Sequence, residues 1–246
     1  MASEQGFTPA MGRFMFNRLY DPVIRFTREK YWRQLILKYL KPQADDVIVD
    51  VGCGTGTLLN LIAKIQPTAI LIGIDPDENI LKIAKEKSKQ QGNTIIWQQT
   101  MGDHVQQLGH GQKVNKICSS LVLHQCPIAM KQGILQSMYE LLPEDGLVVI
   151  ADFGEQRTKT MRLLFNIIQL ADGKQDTQPN AEGIIPILLA ESGFLNVQEH
   201  AVVATLGGSI SIYSARKELT SSSTCTATAS CHSPQCIKHS HFTHTT

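Results

Sequence analysis

The stretch that most constrains the fold is VIVDVGCGTGTLL, residues 47–59. Its first part is apolar except for Asp50, which is typical of a strand inside a parallel sheet that is covered on both faces. Gly52, Gly54 and Gly56 follow at every second position, so the backbone can turn sharply and approach a ligand closely. The apolar residues after them predict a helix whose unpaired N–H groups face the same turn. The stretch therefore predicts a nucleotide-like ligand above a strand-to-helix turn.

Strands and helices alternate through the rest of the chain up to residue 217. The predicted strands are 47–51, 69–74, 94–97, 114–121, 147–153, 194–206 and 209–215, and the predicted helices are 57–65, 78–90, 129–142, 157–170 and 181–192. Gly207 and Gly208 join the last two strands as a hairpin. The fold class predicted is α/β: a doubly wound, Rossmann-like sheet of seven mostly parallel strands with an antiparallel C-terminal hairpin. Its ligand is expected at the carboxyl ends of the strands.

Two segments outside this alternation carry apolar surface. The helix at 157–170 is apolar on more than one side, so we expect it to be buried or to cover other apolar surface. Residues 9–41 are predicted as two helices broken near Asp21 and Pro22. Residues 11–41 hold eight Lys and Arg against two acids, which fits either a peripheral membrane contact or a solvated helix face. The first helix, with Met11, Phe14, Met15 and Leu19 at helical spacing, fits a substrate mouth, a membrane surface or a packed cap equally.

Composition excludes several classes of protein. With 246 residues and 42% hydrophobic content the chain can bury a full core, and a net charge of +1 argues against a general nucleic-acid binder. No apolar run approaches the roughly 20 residues that span a bilayer, and residues 1–10 lack the pattern of a secretion signal. We therefore expect a cytoplasmic protein with reduced thiols.

The last segment changes character, because Ser, Thr, Cys and His dominate residues 219–246 and predict a disordered tail. Its cysteines, Cys225, Cys231 and Cys236, lack the paired spacing of structural zinc sites, so no metal is predicted. The predicted organisation is a helical cap at 1–41, an α/β domain at 42–217 and the tail at 218–246.

The kind of nucleotide depends on motifs beyond the glycine turn. The dinucleotide fingerprint needs a glycine where this chain has Thr57. Four further motifs follow in order: GIDPD at 73–77, GD at 102–103, SSLVLHQ at 119–125 and LLPEDGLVVIADF at 141–153. From about residue 20 to 217 the chain resembles class I S-adenosyl-L-methionine (SAM) dependent methyltransferases. Within these it is most similar to the type 11 family of ubiquinone and menaquinone biosynthesis.

The resemblance implies a set of SAM contacts. Asp50 would hold the methionine ammonium, Asp75 the two ribose hydroxyls, and Asp103 the adenine amine. Each acid also has a structural interpretation, as a cap of the turn, a helix cap or a loop acid respectively. The complete set of expected cofactor contacts is Asp50, Gly52, Cys53, Gly54, Thr55, Gly56, Asp75, Pro76, Asp103, His104 and Ser119.

The acceptor side is less regular. His124 is the candidate base or substrate contact, with a structural loop histidine as the alternative, while Tyr20 and His104 are weaker candidates. The chain departs from the family at Val114-Asn115, where Phe-Asp is common, and at Gln125, where a second histidine is common. The apolar residues expected to face the acceptor are Phe14, Phe16, Leu164, Phe165 and Ile168, although core packing explains them almost as well.

The predicted function is transfer of a methyl group from SAM to a small, hydrophobic acceptor that is quinone-like or lipid-like. The alternatives are an NAD(P)-dependent oxidoreductase and a SAM-binding protein without turnover. No nucleic-acid partner is expected, and the sequence does not indicate an oligomeric state or the atom that is methylated.

Overall fold

A single seven-stranded sheet forms the centre of the protein. The computed structural model describes residues 28–108 and 113–218. The strands are β1 (Val47–Val51), β2 (Ile70–Asp75), β3 (Ile96–Gln99), β4 (Lys116–Ser120), β5 (Leu147–Phe153), β6 (Leu195–Thr205) and β7 (Gly208–Arg216). They lie in the order β3-β2-β1-β4-β5-β7-β6. The first five are parallel, β7 is antiparallel to β5, and β6 pairs antiparallel with β7.

Helices cover both faces of this sheet. They are α1 (Glu29–Leu40), α2 (Thr57–Ile65), α3 (Glu78–Gln90), α4 (Ile128–Leu141), α5 (Lys159–Asp172), α6 (Lys174–Ala181) and α7 (Ile184–Glu191), with 3₁₀ segments at Gly102–Leu108 and Leu123–Gln125. Residues of α1, α2, α3 and α5 share one apolar core. Residues of α4, α7 and the first 3₁₀ segment share the core on the other face. Because both faces are covered, β1 and β5 are buried along their whole length.

The direction of α1 brings its beginning to the carboxyl edge of the sheet. The ammonium of Lys116, the first residue of β4, donates to the carbonyl oxygen of Lys41 at 2.8 Å. The end of α1 therefore lies at the amino edge, and the helix runs antiparallel to β4. Trp32, Ile36 and Leu40 anchor it in the core.

The predicted fold class is confirmed, including the antiparallel hairpin. Most predicted elements differ from the observed ones by one or two residues at their ends. The helix predicted at 181–192 corresponds to α7, which begins three residues later, after Gly183 at φ 87°; the preceding helix α6 was missed. Helix α6 was not predicted because KQDTQPNA contains Pro179 and has no apolar period. It is instead held by buried polar residues, since the Thr177 hydroxyl donates to the carbonyl of Gly173 at 2.6 Å.

Of the two alternatives given for the helix predicted at 157–170, burial is wrong, and α5 covers apolar surface with one side only. Phe165 alone among its residues is fully buried, and Leu164 and Ile168 are half-buried beside it. The helix is anchored at its start, where the hydroxyl of Thr158 accepts from the N–H of Met161 at 3.1 Å. The rest of its apolar surface faces outward.

Several predictions lie outside the described residues. These are the helix before residue 28, with Tyr20, Phe14 and Phe16, and the Cys- and His-rich segment 219–246. The proposed domain boundaries stay a prediction. Cys53, Cys118 and Cys126 are buried free thiols, and none of the helices in residues 28–108 and 113–218 is long and apolar enough to cross a bilayer.

Candidate functional site

The glycine turn after β1 is held from below by the end of β2. The N–H groups of Gly52 and Cys53 both donate to the carbonyl of Ile74, at 3.0 and 2.9 Å. Gly52, Gly54 and Gly56 have φ values of 71°, 53° and 72°, a region in which side chains are strained. These hydrogen bonds attach the turn to the end of β2. The side of the turn that faces away from β2 lies at the carboxyl edge of the sheet.

The three glycines serve two different purposes. A Cβ atom at Gly52 would lie 2.2 Å from Cγ2 of Val122, and one at Gly56 would lie 2.2 Å from Cη2 of Trp97. At Gly54 a Cβ atom would meet nothing within 4 Å. Gly52 and Gly56 thus allow close packing, whereas Gly54 leaves space in which a ligand can approach the backbone.

Asp75 connects the end of β2 to this turn. One carboxylate oxygen accepts from the N–H of Gly54 at 3.1 Å, and the other accepts from the N–H of Asp77 at 3.0 Å. Burial raises the pKa of Asp75, and these two hydrogen bonds oppose that shift. Because each oxygen has a second lone pair, the carboxylate can still accept from a pair of hydroxyl groups.

Asp50 is a buried acid that has no N–H or O–H donor among the described residues. It is 1% exposed, and among the described residues neither of its carboxylate oxygens finds a donor. Burial raises its pKa to about 7, while the positive charge of Arg33 on α1 and a weak contact with the thiol of Cys118 on β4 oppose the shift. Burying a carboxylate without a hydrogen-bond donor is energetically unfavourable. Such an acid is expected where a cationic group of a ligand supplies the missing partner.

Arg33 was not found from the sequence. Its guanidinium binds Glu29 one turn earlier, at 2.7 Å, and its side chain is 13% exposed. The Arg33 charge is close enough to Asp50 to lower the pKa of that acid. The only sequence signal is that Arg33 follows Trp32, the buried anchor of the helix.

Asp103 and His104 lie in the 3₁₀ segment after β3. Asp103 packs against α4, since a Cβ atom at Gly133 would lie 3.2 Å from that of Asp103. Its Oδ1 atom is buried and, within the described part of the chain, has no hydrogen-bond partner, so it keeps capacity to accept from a ligand. The His104 side chain is exposed.

The remaining expected cofactor contacts have partners within the protein. The Ser119 hydroxyl donates to the carbonyl of Val51 at 2.8 Å and ties β4 to β1. The thiol of Cys53 is buried, and burial raises its pKa strongly, so it is no nucleophile. The hydroxyl groups of Thr55 and Thr57 lie 3.5 Å apart, and the carbonyl of Pro76 accepts from Gln99 at 3.0 Å.

His124, the candidate base, lies between two carboxylates. Its Nδ1 is 2.7 Å from Oδ1 of Asp152 at the end of β5, and its Nε2 is 3.4 Å from Oδ2 of Asp172 at the end of α5. Burial favours the neutral ring, but the charges and hydrogen bonds of Asp152 and Asp172 more than offset it and raise the pKa to about 9. At neutral pH His124 is therefore protonated and holds α5 against the turn after β4.

Asp152 organises this turn and was missed in the sequence. Besides binding His124, its carboxylate accepts from the N–H groups of Val122 at 2.9 Å, Leu123 at 2.6 Å and Phe153 at 2.8 Å. An acid inside the apolar run LVVIADF was the available signal, because an acid in a fully buried strand needs partners.

Lys131 makes a second connection between the same regions. It is 0% exposed, and its ammonium donates to the carbonyls of Cys126 at 2.6 Å and Asp176 at 2.7 Å. Burial lowers its pKa. The lysine thereby attaches the start of α6 to the turn that carries His124.

Comparison with known proteins identifies the family. The model of the family described as methyltransferase domain matches residues 42–201. The chain belongs to this methyltransferase family. A demethylmenaquinone methyltransferase of Tropheryma whipplei is 29% identical over 153 residues, which cover 59% of this chain and 60% of that protein. The chain thus spans about three fifths of the length of this curated relative.

Solved methyltransferases share the fold. Magnesium protoporphyrin IX methyltransferase from Synechocystis, with bound S-adenosylhomocysteine (SAH), matches with a TM-score of 0.60 and 18% identity, covering 84% of this chain and 90% of that one. Human N-acetylserotonin methyltransferase in complex with SAM matches with a TM-score of 0.58 and 17% identity, covering 86% and 61%. The Asp50 carboxylate without a partner and the open space at Gly54 fit a cofactor of this kind.

Proposed function

We propose that the protein transfers a methyl group from SAM to a small apolar acceptor, quinone-like or lipid-like. The observation that carries the proposal is Asp50, whose buried carboxylate has no hydrogen-bond partner in the described part of the chain. It lies directly below a turn that leaves space at Gly54. An ammonium group above the turn would satisfy this acid, and an amino-acid moiety carries such a group.

The other polar groups fit the rest of the same ligand. Asp75 would accept from the ribose hydroxyls with its remaining lone pairs, and Asp103 would accept from the adenine amine with Oδ1. The three acids belong to the ends of β1 and β2 and to the segment after β3, which are adjacent in the sheet. One extended ligand lying across these strands would therefore contact all three.

The acceptor would bind on the other side of β1, above the ends of β4 and β5. Bound SAM supplies a methyl group that is already electrophilic, so this chain has mainly to position the acceptor and exclude water. His124 is the titratable group at this position. Because both of its ring nitrogens face carboxylates, the geometry favours a positioning role for His124 over the role of free base.

The apolar class of the acceptor is supported by a relative's name. The Tropheryma whipplei protein is named for demethylmenaquinone, a quinone. In this chain the buried ring of Phe165 packs on Phe153, with ring centroids 5.3 Å apart, and Phe153 lies against the His124 ring at 5.0 Å. The core beneath the place proposed for the acceptor is therefore aromatic.

The experiment that tests the proposal is calorimetric titration of the protein with SAH and, separately, with NADH. We expect SAH to bind with a dissociation constant in the micromolar range and NADH not to bind. Incubation with methyl-labelled SAM and a quinone and lipid extract should then transfer label to an apolar product. Binding of NADH alone would identify an oxidoreductase instead, and SAH binding without any transfer of label would identify a binding protein without turnover.

Replacing Arg33 with glutamine should weaken binding of SAH selectively. We assign the Arg33 charge to the methionine carboxylate of the cofactor, which would lie next to the ammonium held by Asp50. Loss of one charged hydrogen bond should weaken SAH binding by about 10- to 100-fold. Methylthioadenosine, which lacks the amino-acid group, should bind the variant and the wild type equally.

The matched control for this prediction is Arg28→Gln, at the exposed beginning of the same helix. We expect it to change SAH affinity by less than about twofold. Equal losses of SAH and methylthioadenosine binding in Arg33→Gln would contradict the assignment, because Arg33 would then support the fold of the site as a whole.

A further inference from the structure

The outer side of α5 is an exposed apolar face. Leu163, Ile167 and Leu170 are 69%, 61% and 89% exposed, and their spacing of four and three residues places them on one side of the helix. Phe165, on the opposite side, is 1% exposed and belongs to the core. The helix thus has one apolar side that packs on the protein and a second that contacts none of the described elements closely. We call Leu163, Ile167 and Leu170 the outer face of α5.

The exposed charged side chains of α5 and of the first residue of α6 are positive. Lys159 and Arg162 on α5 and Lys174 just after it are exposed. The single acid of α5, Asp172, is turned inward to His124. Arg157, which precedes the helix, is compensated because it binds Glu155 and Glu199. The exposed surface of α5 therefore combines apolar side chains with positive charges, and within residues 28–108 and 113–218 Lys159, Arg162 and Lys174 form no salt bridge.

We propose that the outer face of α5 docks on the surface of an anionic lipid bilayer. Helices that lie in a membrane interface insert apolar side chains at the boundary of the headgroups, while lysines and arginines beside them bind lipid phosphates. The charge on α5 selects an anionic surface over a neutral one. An interface with another protein would not require lysines and arginines beside the apolar side chains.

The position of α5 gives the contact a functional meaning. Its last residue, Asp172, binds His124 at the carboxyl edge of the sheet, so α5 borders the region proposed for the acceptor while its outer face points away from the core. A protein docked in this way would take a lipid-soluble acceptor directly from the membrane. The docking itself requires neither SAM nor an acceptor, so its test is independent of the proposed function.

The test is co-sedimentation of the full chain with vesicles of phosphatidylglycerol and phosphatidylcholine, compared with vesicles of phosphatidylcholine alone. We expect binding to the anionic vesicles only, and weaker binding at high salt. Ile167→Asp and Leu170→Asp should each lower the partition coefficient by about tenfold or more. Each removes an aliphatic side chain that would insert into the bilayer, and each adds a negative charge. Lys159→Glu together with Arg162→Glu should lower it by a similar factor.

The matched control is Ile83→Asp, on the exposed side of α3 and 50% exposed. It introduces the same chemical change on a helix that also carries lysines but has no second exposed large hydrophobic residue, and should change binding by less than about twofold. Thermal unfolding of every variant checks that the fold is retained. Light scattering without vesicles reports whether the outer face joins two copies of the chain.

Three outcomes would overturn the proposal. One is that the folded wild type fails to sediment with anionic vesicles. A second is that Ile83→Asp reduces binding as much as Ile167→Asp does. The third is a dimer in solution that Leu170→Asp dissociates while vesicle binding is unchanged, since the outer face would then be an interface between copies.

Discussion

Replacing Asp75 with alanine is expected to lower the affinity for SAH by at least about 100-fold. The carboxylate has two tasks: it accepts from the backbone N–H groups of Gly54 and Asp77, and its remaining lone pairs are the proposed acceptors for the ribose hydroxyls. Alanine removes the ligand contacts and also releases the glycine turn from the end of β2. Calorimetric titration with SAH measures the loss.

Asp77→Asn is the control for this prediction. Oδ1 of Asp77 accepts from the N–H groups of Asn79 and Ile80 at the start of α3, and asparagine keeps that acceptor. We expect its affinity for SAH to stay within about twofold of the wild type. If Asp75→Ala folds normally and binds SAH as the wild type does, the proposed cofactor site is wrong.

Replacing Asp152 with alanine should lower the free energy of unfolding by about 3–5 kcal/mol. The substitution leaves three buried backbone N–H groups and the Nδ1 atom of the protonated His124 ring without an acceptor. Urea denaturation measures the change. Glu78→Ala breaks an exposed ion pair with Lys82 and should cost less than about 1 kcal/mol.

The same cluster makes stability depend on pH. The pKa of His124 is raised in the folded protein from 6.5 to about 9, so the folded state binds more protons than the unfolded state between these values. The stabilisation is complete below pH 6.5 and is lost as the pH rises through about 9. Urea denaturation across this range should show a declining free energy of unfolding. In His124→Gln the decline should be smaller, and an identical decline would contradict the assignment.

Features that depend on neighbouring residues in the sequence were predictable. The glycine turn, the order of strands and helices, and Asp75 all follow from local patterns, because each strand end and its following loop are contiguous in the chain. The difference in role between Gly54 and the other two glycines of the turn was not predictable. Only packing against Val122 and Trp97 distinguishes Gly52 and Gly56 from the glycine that faces open space.

Features that depend on distant residues were not predictable. His124 was found from its motif, but its two carboxylates belong to β5 and to the end of α5, and their presence changes the ring from a candidate base to a buried cation. Likewise, the sequence shows that α5 is apolar, whereas only its packing against the sheet shows which apolar residues stay exposed. Helix α6 lacks a local signal because polar contacts hold it.

The hydrogen bonds that attach α6 affect how the residues of this helix can change during evolution. Lys131 binds the main-chain oxygen of Asp176, and Asn180 donates to the main-chain oxygen of Phe153 at 2.9 Å. A main-chain oxygen is present whatever residue occupies the position. Substitutions of the half-buried Asp176 therefore preserve the attachment to Lys131, so the wall of the proposed acceptor region can acquire new side chains, and with them new specificities, while its backbone stays in place.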